Sequence, residues 1–272
     1  MISRQSGADA PSTDPRWRPN ETSVHYQRYA VAADDASQEL GELALRLLEL
    51  GVDVLYAPAL DEAALLTRQE ARRVGAVLLP ASVLGSDASR LPQLFGVPAA
   101  RLVPVASLEQ DLAPWGACGA RLGLRRPCPD SDLRFAVQAA LAFDDHGEFR
   151  LDLRAPIEAV VELVEMRPGG PKRHAAMLLD VSAGGAYLAT AEPLAAGTRA
   201  EMMLPAPLGG GRVEIESVFA YRPGPGSRGN RPAGMGVMFT QPDLSLRSAC
   251  RSYVRSQIAR FEIAAAGAGT GA

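Results

Sequence analysis

Residues 154–190 read RAPIEAVVELVEMRPGGPKRHAAMLLDVSAGGAYLAT, and their rhythm decides the fold of the C-terminal half. The apolar residues fall in short runs, Ile157 to Glu165, Ala175 to Val181 and Ala186 to Thr190, each of strand length rather than helix length. Pro168-Gly-Gly-Pro171 punctuates the first pair, and Gly184-Gly185 allows a tight positive-φ turn before the third. The rhythm continues through Arg199 to Leu204, Val213 to Tyr221 and Gly234 to Thr240, with turn signals at Ala196-Gly197, Gly209-Gly-Gly211 and Pro223 to Pro232. Many short strands at regular spacing predict an antiparallel sandwich or barrel. Asp243 to Phe261 follows with Leu246, Cys250, Val254, Ile258 and Phe261 in helical register, a closing amphipathic helix.

Upstream the pattern differs. Strand-like runs Tyr29 to Ala33, Val52 to Tyr56, Ala76 to Leu79, Arg101 to Val105 and Arg121 to Leu124 alternate with helical stretches. Glu39 to Leu50 has a clear apolar stripe, Asp61 stands as N-cap of a helix running toward Arg73, and Ser131 to Phe143 forms the last helix. Five strands alternating with helices predict βαβ crossovers and a parallel sheet. The polar turn Asp144 to Gly147 divides the halves. Residues 1–23 read as a disordered N-terminal segment, 24–144 as the α/β domain, 149–262 as the barrel domain and 263–272 as a disordered tail.

The chain has 272 residues, 47% hydrophobic and 22% charged, with a net charge of −3. That is a globular composition with enough apolar mass for a sizeable core. No apolar run is long enough to span a bilayer, and the start has no apolar leader, so the expected location is the cytoplasm without membrane insertion. The charge balance argues against bulk nucleic-acid binding. It is uneven: 14 basic and 20 acidic residues up to residue 148, then 14 and 11, so the second half suits a small anionic ligand. Cys118, Cys128 and Cys250 are isolated, and His25, His146 and His174 are scattered, which gives neither a metal site nor a catalytic triad. The chain is expected to be no enzyme and to carry no cofactor.

Two elements of the second half carry chemistry. Arg150-Leu-Asp-Leu-Arg154 precedes the first barrel strand, and Asp180-Val-Ser-Ala-Gly-Gly185 follows the second. In an extended segment Asp180 and Ser182 face the same side. Guanidinium groups pair with phosphate and stack on purines, Arg reads guanine O6 and N7, and a carboxylate accepts from guanine N–H donors. Two Arg on a mobile pre-strand segment, closing over Asp-x-Ser, suit a ligand with phosphates and guanine rings.

Arg-x-x-x-Arg before a strand, followed by Asp-x-Ser-x-x-Gly, resembles the PilZ family of cyclic di-GMP receptors. Gly185 to Gly197, Val213 to Val218 and Gly234-Met-Gly-Val-Met-Phe239 extend the resemblance over residues 149–262. It implies a six-stranded barrel with a C-terminal helix. It implies that Arg150 and Arg154 bind phosphate and guanine of cyclic di-GMP, that Asp180 and Ser182 contact a guanine edge, and that Gly185 shapes the loop. Phe149 stands where an aromatic either stacks on a base or packs on the barrel. The first half resembles a response-regulator receiver domain more loosely, through Asp34-Asp35 after the first strand and Arg126-Pro127 before the last helix. The third strand runs into Pro80-Ala-Ser82, with no Asp in the phosphoacceptor place, so a degenerate receiver used for contacts is expected. Asp34 and Asp35 are either a cation site or exposed loop acids.

The expectation is therefore a bacterial second-messenger receptor. Nucleotide binding orders the segment between the domains and changes a protein–protein surface, in motility, pilus, exopolysaccharide or biofilm regulation, with a protein partner on the receiver-like domain. The alternative is an adaptor of the same fold that acts without nucleotide. Gly224-Pro-Gly-Ser-Arg-Gly229 matches a dinucleotide-binding pattern only formally, because it lies between antiparallel strands.

Overall fold

The computed structural model describes residues 28–35, 39–84, 90–142, 153–223 and 232–264. The expected disordered N-terminal segment, the divide at Asp144 to Gly147, Phe149, Arg150, His25, His146 and the Gly224–Gly229 loop lie outside the described residues.

The first half is a parallel sheet of β1 (Tyr29–Ala33), β2 (Val54–Ala57), β3 (Val74–Pro80), β4 (Leu102–Ser107) and β5 (Leu124–Arg126), in the order β2-β1-β3-β4-β5. This is the flavodoxin-like doubly wound order. Strand β3 is buried at all seven positions, as a central parallel strand covered on both faces must be. One face carries α1 (Glu39–Glu49) and α5 (Asp130–Ala142), whose Leu40, Leu43, Leu47, Leu133 and Val137 meet Ala30, Ala32, Leu78 and Val105. The other face holds α2 (Leu60–Gln69) and the short α3 (Leu91–Phe95) and α4 (Ala113–Ala117), packed around Phe95 and Trp115.

Two local expectations fail. Ala59, not Asp61, is the N-cap of α2, and it caps without a side-chain hydrogen bond. Asp61 instead lies inside the first turn, where a carboxylate complements the helix dipole. The fifth strand begins at Leu124 rather than Arg121, because Arg121 to Gly123 pair with the far C-terminus of the chain.

The second half is a closed barrel of β6 (Ala155–Arg167), β7 (Gly170–Val181), β8 (Gly185–Ala189), β9 (Arg199–Met203), β10 (Arg212–Tyr221) and β11 (Gly234–Phe239), in the order β10-β11-β8-β7-β6-β9. Closure leaves no open sheet edge. Leu163, Leu178, Leu188, Met202, Ile215, Met235 and Val237 fill its interior. The six-stranded barrel and its C-terminal helix, α6 (Leu244–Ala259), are as the sequence led us to expect. Asp243 caps that helix, accepting from the Leu246 N–H at 2.7 Å, and this bond holds its carboxyl below the usual range.

α6 joins the halves. Leu246 and Cys250 belong to the barrel core, whereas Val254 and Ile258 enter the core between the parallel sheet and α1 and α5. Beyond the helix the chain runs along the β5 side of the sheet. The Gly123 N–H donates to Phe261 O at 2.8 Å, the Ile263 N–H donates to Arg121 O at 2.9 Å, and Leu122 bridges Glu262. Arg260 Nη2 lies 2.6 Å from Asp132 Oδ2, and the Phe261 ring tilts against Phe135 at 6.0 Å. Ile263, which the sequence assigns to the tail, is half-buried here. No described helix is long and apolar enough to cross a membrane.

Ile258 is 1% exposed at this joint, so Ile258→Ala is expected to cost about 2–5 kcal/mol, seen as a lower urea midpoint. Burial pushes the Cys250 thiol up to about 11. At about pH 8 a thiol reagent should label Cys118 first, and Cys250 only on unfolding, because the thiolate is the reactive form.

Candidate functional site

The site begins at a β-bulge. Along β7 strict alternation would send Ala176, Leu178 and Asp180 to the same face, and Ala176 and Leu178 are in the core. The pairing of β7 with β8 shifts between Leu178, opposite Leu188, and Asp180, opposite Tyr187. The extra residue re-aims the chain, as bulges do, so Val181 enters the core and Asp180 turns to the outer wall.

On that wall Asp180 Oδ1 accepts from Arg154 Nη1 at 2.9 Å. The Arg154 side chain is 39% exposed and the Asp180 side chain 9%, so the carboxylate is sheltered while its guanidinium partner faces solvent. Arg154 is anchored rather than loose: its neighbours Leu153 and Ala155 are both buried, in the core shared by α1, α5 and α6. The Tyr253 hydroxyl of α6 donates to Pro156 O at 2.8 Å, fixing the start of β6 beside it.

Ser182, just beyond β7, is buried and its hydroxyl closes the turn. It donates to Gly185 O at 3.3 Å, and the Ser182 N–H donates to the same carbonyl at 2.8 Å. The positive-φ reading of Gly184 and Gly185 is corrected: neither is among the positive-φ glycines. What Gly185 supplies is close approach, since a Cβ there would lie 2.2 Å from Val237 O of β11. At Gly184 a Cβ would meet nothing within 4 Å.

The wall beside Asp180 includes residues the sequence did not single out. Tyr187 is fully buried although it sits on an outward position, and its hydroxyl donates to Pro232 O at 2.7 Å. The Phe219 ring crosses the backbone of Gly236, where a Cβ would fall 2.2 Å from the ring, and lies 6.4 Å from Tyr187. Their signal was the outward-facing glycine of Gly234-Met-Gly-Val-Met-Phe239, which leaves room for a ring. Of the five residues picked from sequence, Arg154 meets Asp180 and Ser182 meets Gly185; Arg150 lies outside the described residues.

In the acidic corner of the parallel sheet Asp35 is exposed, as a loop acid, whereas Asp34 is not. Asp34 is fully buried and accepts from the Leu40 N–H at 3.0 Å, the Asp35 N–H at 2.9 Å and the Tyr56 hydroxyl at 3.3 Å. Ser82 donates to Asp35 Oδ2 at 3.0 Å, and Arg126 is ion-paired with Glu39. Among the described residues no three His, Cys, Asp or Glu side chains converge in a metal-like group.

No protein-family model matches the chain, and no curated protein is significantly similar to it. Solved structures do align with parts of it. The PilZ domain of YcgR from Escherichia coli with c-di-GMP aligns at 18% identity and TM-score 0.30, over 42% of this chain and 93% of that one. The MrkH–c-di-GMP complex of K. pneumonia aligns at 17% and 0.32, over 42% of this chain and 54% of that one. The motility inhibitor MotI/DgrA of Bacillus subtilis aligns at 14% and 0.32, over 42% and 53%. The aligned part thus spans about half the length of MrkH and of MotI.

The two glycines give a sharp contrast. Gly185→Ala is expected to lower stability by about 1–3 kcal/mol, because β8 must move off β11. Gly184→Ala should stay within about 0.5 kcal/mol. Thermal unfolding of the two variants side by side checks this.

Proposed function

We propose that the chain is a cytoplasmic receptor for cyclic di-GMP, with Arg150, Arg154, Asp180, Ser182 and Gly185 forming the nucleotide site on the outer wall of the barrel. The observation that carries this reading is the Arg154–Asp180 pair. Two motifs separated by 26 residues meet there, at the mouth of the Ser182–Gly185 turn. A half-exposed guanidinium facing solvent offers its remaining N–H donors to a phosphate or a guanine edge. A sheltered carboxylate accepts from guanine N–H groups, and loses little to water in doing so.

Ligand and Asp180 then share Arg154 between them. Leu153 and Ala155 tie that arginine to the core that also takes Val254 and Ile258 of α6. Repositioning Arg154 therefore acts on the joint between a barrel domain, residues 149–262, and an α/β domain, residues 24–144. The nucleotide selects one arrangement of that joint through its differential contacts with the two states. The output is a changed protein–protein surface on the α/β domain, whose buried Asp34 and Asp35–Ser82 contact serve structure rather than phosphotransfer. Regulation of motility, pili or exopolysaccharide is the process this fits.

A second reading draws on the same pair. Asp180 already satisfies one arm of Arg154, so the contact also serves a nucleotide-independent adaptor as an internal clasp.

Titration calorimetry with cyclic di-GMP separates them. Wild type is expected to bind at micromolar strength or tighter. Arg154→Ala and Arg150→Ala should each lose about 1.5–3 kcal/mol, roughly tenfold or more in affinity. Absence of wild-type binding by calorimetry and by competition would leave the adaptor reading.

A further inference from the structure

The exposed edges of α1 and α6 carry opposite charges that form no direct ion pairs with one another among the described residues. On α6, Arg247, Arg251 and Arg255 recur one per turn along one side, all exposed, in a helix without a single acidic residue. None of the three has an ion pair or side-chain hydrogen bond among the described residues. Like charges at this spacing repel and weaken a helix, so packing within the chain gives no reason for them. Leu244, 84% exposed, extends the same side. On α1, Glu42 and Glu49 are exposed and have no ion pair within contact distance among the described residues; Arg46, whose charge Glu42 feels one turn away, is itself paired with Asp130. Between and beside them stand Leu45 and Leu48, 64% and 50% exposed.

The C-terminal half of α6 shares a core with α1 and α5 through Val254 and Ile258, while its first half packs on the barrel. Arg46–Asp130 ties α1 to α5, and Arg260–Asp132 with Phe135–Phe261 ties α5 to the end of α6. An acidic, leucine-bearing edge on one copy and a basic edge on a second are complementary, and a two-fold axis repeats that contact with the roles exchanged, the self-complementary arrangement of an isologous dimer. The lengths agree: Glu42 to Glu49 spans about 10.5 Å of helix and Arg247 to Arg255 about 12 Å.

We propose that these two helical edges form a homodimer interface, with α1 of each copy seated against α6 of the other, Glu42 and Glu49 facing the arginine stripe and Leu45 and Leu48 filling the contact. The surface is separate from the Arg154–Asp180 site and stands whether or not the receptor reading holds.

Sedimentation of the full chain tests it. Wild type is expected to dimerise at low ionic strength and to dissociate as salt rises. Arg251→Glu with Arg255→Glu, and Glu42→Arg with Glu49→Arg, should each weaken association at least about tenfold, since like charges then face each other. Mixing the two double variants should restore the dimer, because both contacts of a mixed pair are complementary again. Circular dichroism checks that each variant is folded, as all four positions are exposed. A wild type that stays monomeric at about 100 µM overturns the proposal, since a dissociation constant well above that is too weak for such an interface. A dimer that neither variant weakens, or a mixture that does not reassociate, overturns it equally.

Discussion

One helix serves two hydrophobic cores, and the rest of the molecule depends on that constraint. The first half of α6 closes the barrel with Leu246 and Cys250, and its second half packs Val254 and Ile258 against α1 and α5 of the parallel sheet. The chain leaving α6 then borders the β5 side of the sheet through Phe261 and Ile263. Among the described residues the halves meet through α6, through this returning segment and where the start of β6 packs beside α5.

The Arg154–Asp180 pair sits at the start of β6, beside residues that enter the core shared with α1 and α5. Arg154 keeps part of its guanidinium in water, and exposed pairs contribute little to stability. The carboxylate is sheltered, the cation is partly in water, and the residues on either side of Arg154 are buried.

The parallel-sheet half shows how an acidic corner is put to structural use. Asp34 spends both oxygens on Leu40, Asp35 and Tyr56, which holds the start of α1 and the β2 edge together. Asp35 is met by Ser82, and Arg126 by Glu39. The acids that the sequence left open as a cation site or exposed loop residues are thus tied into hydrogen bonds, and Asp34 is buried outright. Sequence position could not tell these uses apart, since the partners of Asp34 include a tyrosine 22 residues away.

The sequence by itself determined the order and type of the elements. Period and turn chemistry are local, and they sufficed to separate a parallel α/β half from a six-stranded barrel and to place the closing helix α6. It also led to Arg154 and Asp180, which meet at the wall, but not to Tyr187 and Phe219 beside them. Tertiary structure alone decided how they face. Alternation would have sent Asp180 inward with Leu178, and only the mismatch of β7 against β8 turns it out. Gly185 is required by the carbonyl of Val237 on a strand some 50 residues away rather than by its own φ. The return of Phe261 and Ile263 to the first sheet is a contact between the end of the chain and residues near its middle, and no local pattern encodes it. Register, close approach and docking each depend on a partner distant in sequence, and so on the packing of the whole chain.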